Sequence, residues 1–94
     1  MREYELVFIT QPDLDDKALD EVVQRVKSWI IDDGGEISRT DLWGKKRLAY
    51  SIRKQNEGQY IFMRLKMQPN MGVKLERNLR LQEPILRFLL TFRQ

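Results

Sequence analysis

The run Trp43-Gly44-Lys45-Lys46-Arg47-Leu48-Ala49-Tyr50 places three consecutive cations between aromatic residues, in a segment that reads as β-strand on either side. Cations at that density neutralise phosphates or meet an acidic partner; unpaired on a solvated edge, they repel one another. Spacing alone leaves both readings open, a contact surface for something anionic or a basic edge facing water. The remaining reactive side chains narrow the chemistry by exclusion. There is no cysteine and no histidine, so a thiol nucleophile, an imidazole base and the usual zinc ligands are all missing. Asp13, Asp15 and Asp16 resemble the start of a calcium loop, but the glycine and closing glutamate of an EF-hand are absent and helix capping accounts for them. Gly34-Gly35 follows a helical pattern instead of opening one, which suits a C-cap and not a phosphate-binding loop. No pair of carboxylates sits in contrasting environments for acid–base work. The expectation is a protein that is not an enzyme and needs no metal or cofactor.

Ninety-four residues with 41% hydrophobic content support one domain, residues 1–94, and are too few for two independent cores. No window approaches the roughly 18 apolar residues of a membrane span. The opening MREYELVFIT carries acids where a signal peptide has its apolar run. A soluble chain inside the cell, away from membranes, is expected. Net charge is +3, divided unevenly: residues 1–36 hold ten acids and four bases, residues 37–94 four acids and thirteen bases. That split predicts an acidic and a basic face, and a basic face attracts phosphate backbones.

These residues are positioned by elements legible as periodicities. Residues 3–10 alternate, with Tyr4, Leu6 and Phe8 on one side and Glu5, Val7 and Ile9 on the other, a strand. Pro12 and the following aspartates break it and cap a helix over residues 16–33, whose Leu19, Val22, Val23, Val26, Trp29 and Ile30 recur at three and four. Gly34 or Gly35 supplies the left-handed C-cap. Residues 36–52 form a long strand with a bulge or bend at Gly44. The polar stretch RKQNEG reads as the turn into the next strand, where Ile61, Met63, Leu65 and Met67 share one face and Tyr60, Phe62, Arg64 and Lys66 the other. Pro69 and Asn70 begin a second helix carried by Leu75 and Leu79; QEP ends it, and residues 85–93 read as a last strand with Phe88, Leu90 and Phe92 inward.

The order β-α-β-β-α-β predicts an α+β, ferredoxin-like fold: a four-stranded antiparallel sheet with both helices on one face. The other face is left open, carrying Tyr60, Phe62, Arg64, Lys66, Arg87 and Arg93. Small phosphatases can use this topology with an anion held by an arginine in the first strand-to-helix loop, but TQPDL offers acids there and no arginine. Arginine and lysine can neutralise phosphates, while exposed Tyr or Phe can stack on unpaired bases or pack on another protein. EGQYIFMRL does not fit the aromatic consensus of the RNA-recognition motif. A protein-interaction or small-ligand module of the same fold, without RNA binding, is the alternative.

Taken together, REYELVFI, GKKRLAYSIRK, GQYIFMRLKM and LRLQEPILRFLL resemble the small-subunit ribosomal protein six family of bacteria and organelles, over residues 2–93. The most specific piece runs from Gly44 to Arg53. The resemblance implies a structural constituent of the small ribosomal subunit, binding the central domain of small-subunit ribosomal RNA together with small-subunit ribosomal protein eighteen. It implies RNA contacts by Arg2, Tyr4, Lys45, Lys46, Arg47, Tyr50, Arg80 and Arg87, and partner-protein contacts by Leu48, Tyr60, Phe62 and Arg64. The location implied is the ribosome of the cytoplasm, with an organellar ribosome open. Many relatives carry an acidic or polar tail after the last strand; this sequence ends at Gln94, and contacts through such a tail are not carried over.

Overall fold

Leu6 and Phe8 of β1 (Arg2–Thr10) are fully buried in the computed structural model, which describes residues 1–93, while Glu5, Val7 and Ile9 between them face the other way. β3 (Gln55–Met67) lies antiparallel to β1 with Ile61, Met63, Leu65 and Met67 turned to the same side and equally buried. Over them pack Leu19, Val22, Val23, Val26 and Ile30 of α1 (Asp16–Asp32) and Leu75 and Leu79 of α2 (Met71–Leu81). β2 (Glu36–Ile52) pairs on the outside of β3, and β4 (Ile85–Arg93) on the outside of β1. The four-stranded antiparallel sheet has the order β2-β3-β1-β4, with one face under the helices, as the ferredoxin-like expectation requires.

Local signals act where the sequence places them. The Asp15 carboxylate accepts from the Ala18 N–H at 2.8 Å and caps α1. At its other end the Gly34 N–H donates to the Ile31 carbonyl and the Gly35 N–H to the Ile30 carbonyl, the paired bonds of a Schellman motif, with Gly34 at φ +89°. Gly44 has φ +83° where the β2–β3 register shifts, so the anticipated bulge is present.

Two expectations are corrected. The turn between β2 and β3 is much shorter than RKQNEG: Ile52 pairs with Gln55, leaving only Arg53 and Lys54, both left-handed at φ +50° and +65°. Such two-residue turns match the right-handed twist of the strands they join. Residues 55–58 therefore belong to β3. Since Thr10, the last residue of β1, pairs with Gln59, the β2–β3 ribbon runs past the end of β1. The second correction concerns Phe92, which points to the helix side with Phe88 and Leu90 but remains 45% exposed. It sits near the end of an edge strand, with the Tyr4 ring at 5.6 Å and the Arg2 guanidinium at 5.3 Å beside it.

The overshooting ribbon crosses β1 closely at Gly58, where a Cβ would overlap Ile9 Cγ2 and lie 3.0 Å from the Thr10 carbonyl oxygen. A Cβ at Gly44 would meet nothing within 4 Å and would strain only its φ. Gly58→Ala should therefore lower the unfolding free energy by about 2–3 kcal/mol, as overpacking does, and Gly44→Ala by about 1 kcal/mol. Urea unfolding of both variants checks this; equal losses would contradict a tight crossing.

Candidate nucleic-acid and protein interface

On the open face, β1 contributes Glu3, Glu5, Val7 and Ile9, β3 contributes Lys66, Arg64, Phe62 and Tyr60, and β4 contributes Arg93, Thr91, Leu89 and Arg87. Alternation alone makes this face half polar and half apolar. At the polar end Glu5 holds Arg64 at 3.1 Å and approaches Arg93 at 3.7 Å, so one carboxylate partly compensates two cations there. Toward β2, the Trp43 ring stacks on Phe62 with centroids 5.4 Å apart and planes 8° from parallel. The Lys46 ammonium lies over Trp43 at 5.3 Å and over Tyr60 at 5.9 Å, while the Arg64 guanidinium lies over Phe62 at 5.9 Å. Trp43 is nonetheless 45% exposed, leaving an aromatic surface edged by positive charge.

At the apolar end, the last part of β2 closes over the sheet. Leu48, Tyr50 and Ile52 face Val7, Ile9, Tyr60 and Leu89 across a cavity of about 360 Å³. The Arg87 guanidinium lies 5.5 Å from the Tyr50 ring at its rim. Leu89 keeps 64% of its surface exposed within this apolar setting.

The residues for which the family resemblance implies RNA contacts are not gathered on this face. In a strand, neighbours point to opposite sides: Lys46 is on the open face, and Lys45 and Arg47, paired with Gln59 and Glu57, point away from it. The expected ridge of three cations is split across the two sides of β2. Arg2 and Tyr4 share the helix side with Leu6 and meet at Phe92. Arg80, on α2, lies 5.9 Å from the Phe88 ring on that same side. Arg87 and Tyr50 are together on the open face. Lys45, Lys46 and Arg47 thus belong to edge strand β2 and Arg87 to edge strand β4, while Arg2 starts inner strand β1 and Arg80 is on α2. The four residues expected from the resemblance to contact a partner protein do share the open face: Leu48 and Tyr60 at the cavity, Phe62 beneath Trp43, and Arg64 tied to Glu5.

Sequence reasoning turned Val7, Ile9 and Leu89 away from the core but did not count them, or Trp43, among the interface residues. A signal existed for three of them, since Val7, Ile9 and Leu89 are apolar at positions that alternate away from the core. Asp15 is occupied as a helix cap, and among the described residues no group of three or more His, Cys, Asp or Glu side chains is arranged to hold a metal.

A family model described as "Ribosomal protein S6" matches residues 3–91. The chain belongs to the ribosomal protein S6 family. Among its relatives, the small ribosomal subunit protein bS6 of Moorella thermoacetica is 43% identical over 91 residues, spanning 97% of this chain and 93% of the relative. The bS6 of Caldanaerobacter subterraneus subsp. tengcongensis is 39% identical over 90 residues, spanning 96% and 95%. In three dimensions the chain is similar to the crystal structure of 30S ribosomal protein S6 from Thermotoga maritima, with a TM-score of 0.92, 30% identity, and coverage of 98% of this chain and 87% of that one. The S6 family resemblance carried by Gly44 to Arg53 and the flanking strands extends over nearly the whole chain.

The ion pairs around Glu5 are about one-third exposed, and such pairs contribute little to stability. Glu5→Gln should change the unfolding free energy by less than about 1 kcal/mol while raising the affinity of the open face for a generic polyanion such as heparin. Urea unfolding and heparin-column elution test both parts; a large stability loss, or unchanged elution, would contradict the compensating role given to Glu5.

Proposed function

We propose that this chain, acting as one domain of residues 1–94, is a non-enzymatic structural constituent of the small ribosomal subunit, located in the ribosome of the cytoplasm or of an organelle. It binds the central domain of small-subunit ribosomal RNA through cations of β2, β4, α2 and the start of β1, and docks small-subunit ribosomal protein eighteen on its open face. It takes no cofactor and no small-molecule substrate and engages no membrane.

The observation that carries the reading is where charge is paired. Among the described residues, Arg2, Lys45, Lys46, Arg47, Arg80 and Arg87 enter no ion pair, whereas Arg64 and Arg93 on the open face share Glu5. A cation without a carboxylate meets a phosphate at little cost, releasing counterions. Aromatic rings lie beside four of them, Phe92 by Arg2, Trp43 by Lys46, Phe88 by Arg80 and Tyr50 by Arg87. The apolar cavity, beside a region where Glu5 partly compensates Arg64 and Arg93, suits a protein surface better than a phosphate backbone. Family membership supports both assignments, as the relatives are small ribosomal subunit proteins.

The cavity also favours a second reading, a protein-interaction or small-ligand module without RNA binding. Salt separates the two, because phosphate contacts weaken steeply with ionic strength and apolar docking does not.

Filter binding to a central-domain RNA fragment, with and without protein eighteen and over a range of salt, is the test. Binding should be tighter beside the partner, and Arg80→Ala and Arg87→Ala should each lower the slope of log affinity against log salt by about one. Replacing Lys45, Lys46 and Arg47 together by alanine should lower it further with the fold intact. A wild-type affinity that ignores salt would favour the second reading; equal affinity with and without the partner would contradict joint binding.

A further inference from the structure

The turn of the β2–β3 ribbon carries a cation with a different task. Arg53 Nη1 donates to the Glu83 carbonyl at 2.7 Å and its Nη2 to the Ile85 carbonyl at 3.3 Å. Those carbonyls lie at the entry to β4. β2 and β4 are opposite edges of the sheet, with β3 and β1 between them, so a β2–β3 turn meets β4 only when the ribbon folds across the end of β1. Three features permit that. Residues 55–58 overshoot β1, Gly58 has no Cβ to collide with Ile9, and the β2–β3 register shifts between Arg47 and Ile52. The consequence is the cavity: with the ribbon folded over, Leu48, Tyr50 and Ile52 form a wall above Val7, Ile9 and Leu89.

We propose that Arg53 is a positioning residue, latching the β2–β3 ribbon across the sheet and so holding the open-face cavity in the shape that receives an apolar side chain of the partner protein. This rests on the reading of the open face as the protein-docking surface. Arginine suits the task because its planar guanidinium reaches two carbonyls at once, which the single ammonium of lysine does less well. Hydrogen bonds from a charged donor are also stronger than neutral ones and offset the left-handed backbone that Arg53 must adopt. Tyr50 against Arg87 is a second attachment of the same ribbon, so loss of Arg53 loosens the wall without unfolding it. Preformed walls raise affinity by removing the cost of ordering them on binding.

The test uses the full chain as wild type, Arg53→Lys and Arg53→Ala. Amide hydrogen exchange on the free protein should quicken about tenfold across residues 48–56 in Arg53→Ala, the size expected for losing a charged hydrogen bond. Exchange at Leu6, Phe8, Ile61 and Met63 should not change, which separates a loosened ribbon from a destabilised core. Affinity for purified protein eighteen, measured by calorimetry, should fall by a similar factor, with Arg53→Lys intermediate in both measurements. Unchanged ribbon exchange in Arg53→Ala overturns the latch. Faster exchange with unchanged affinity overturns its role in docking. A wild-type chain with no measurable affinity for protein eighteen overturns the docking reading and the positioning role with it, while the exchange result separately decides whether the latch exists.

Discussion

The register of β1 against β3 constrains the rest of this molecule. With Leu6 opposite Met63 and Phe8 opposite Ile61, both pairs fully buried beneath the helices, the alternate pairs Glu5–Arg64, Val7–Phe62 and Ile9–Tyr60 have to face outward. A slip of one residue by either strand would turn its outward set, with Glu5 of β1 or Arg64 of β3, under the helices without water, so the burial of one face specifies the composition of the other. β2 and β4 then attach to the outer sides of that pair, and their outward residues complete a face whose character was set at the centre of the sheet.

Charge is distributed over that face with a physical logic. Near the middle, Glu5 lies between Arg64 and Arg93, so covering this region buries a partly compensated cluster at lower cost than bare cations. Among the described residues, Lys45, Lys46 and Arg47 on β2 and Arg87 on β4 are left without carboxylates. Edge strands carry unpaired backbone groups that invite other strands, and Lys45, Lys46 and Arg47 beside the Gly44 bulge oppose such pairing on β2. The same unpaired cations are the ones free to meet phosphate, so protection against association with other sheets and attraction to a polyanion come from one feature.

What could be read in the sequence was what local chemistry decides. Asp15, Gly34 and Gly44 act within a few residues of themselves, and their cap, helix end and bulge follow from residue type. The alternation of β1 and β3 and the helical spacing from Leu19 to Ile30 likewise need no distant information. The short turn was hidden because Arg53 and Lys54 lack the Asn-Gly or Gly signals that mark left-handed two-residue turns, and tertiary contacts hold them there instead. Strand alternation did contain the splitting of Lys45, Lys46 and Arg47 between two faces, but counting adjacent charges as one ridge concealed it. Trp43 lies where the register shifts, and at a bulge the parity rule cannot assign a face. The cavity draws on all four strands, with Val7, Leu48, Tyr60 and Leu89 brought together only by the folded-over ribbon.

Tyr50 and Arg87 belong to both proposed surfaces. They are among the residues to which the family resemblance assigns RNA contacts, and they also form the rim of the apolar cavity, 5.5 Å apart. On the proposed function, a partner side chain filling that cavity fixes Tyr50 and Arg87 before RNA arrives, so the RNA need not order them. The free energy of that ordering is shared, and linkage makes the benefit reciprocal: whatever the partner adds to RNA affinity, RNA adds to partner affinity. Arg80, across β4 on the helix side, and Lys45, on the outer edge of β2, lie away from the cavity rim and contribute charge without that coupling. Joint binding by protein and RNA therefore requires no movement of the core, only a ribbon whose rim is held by one ligand in the form the other uses.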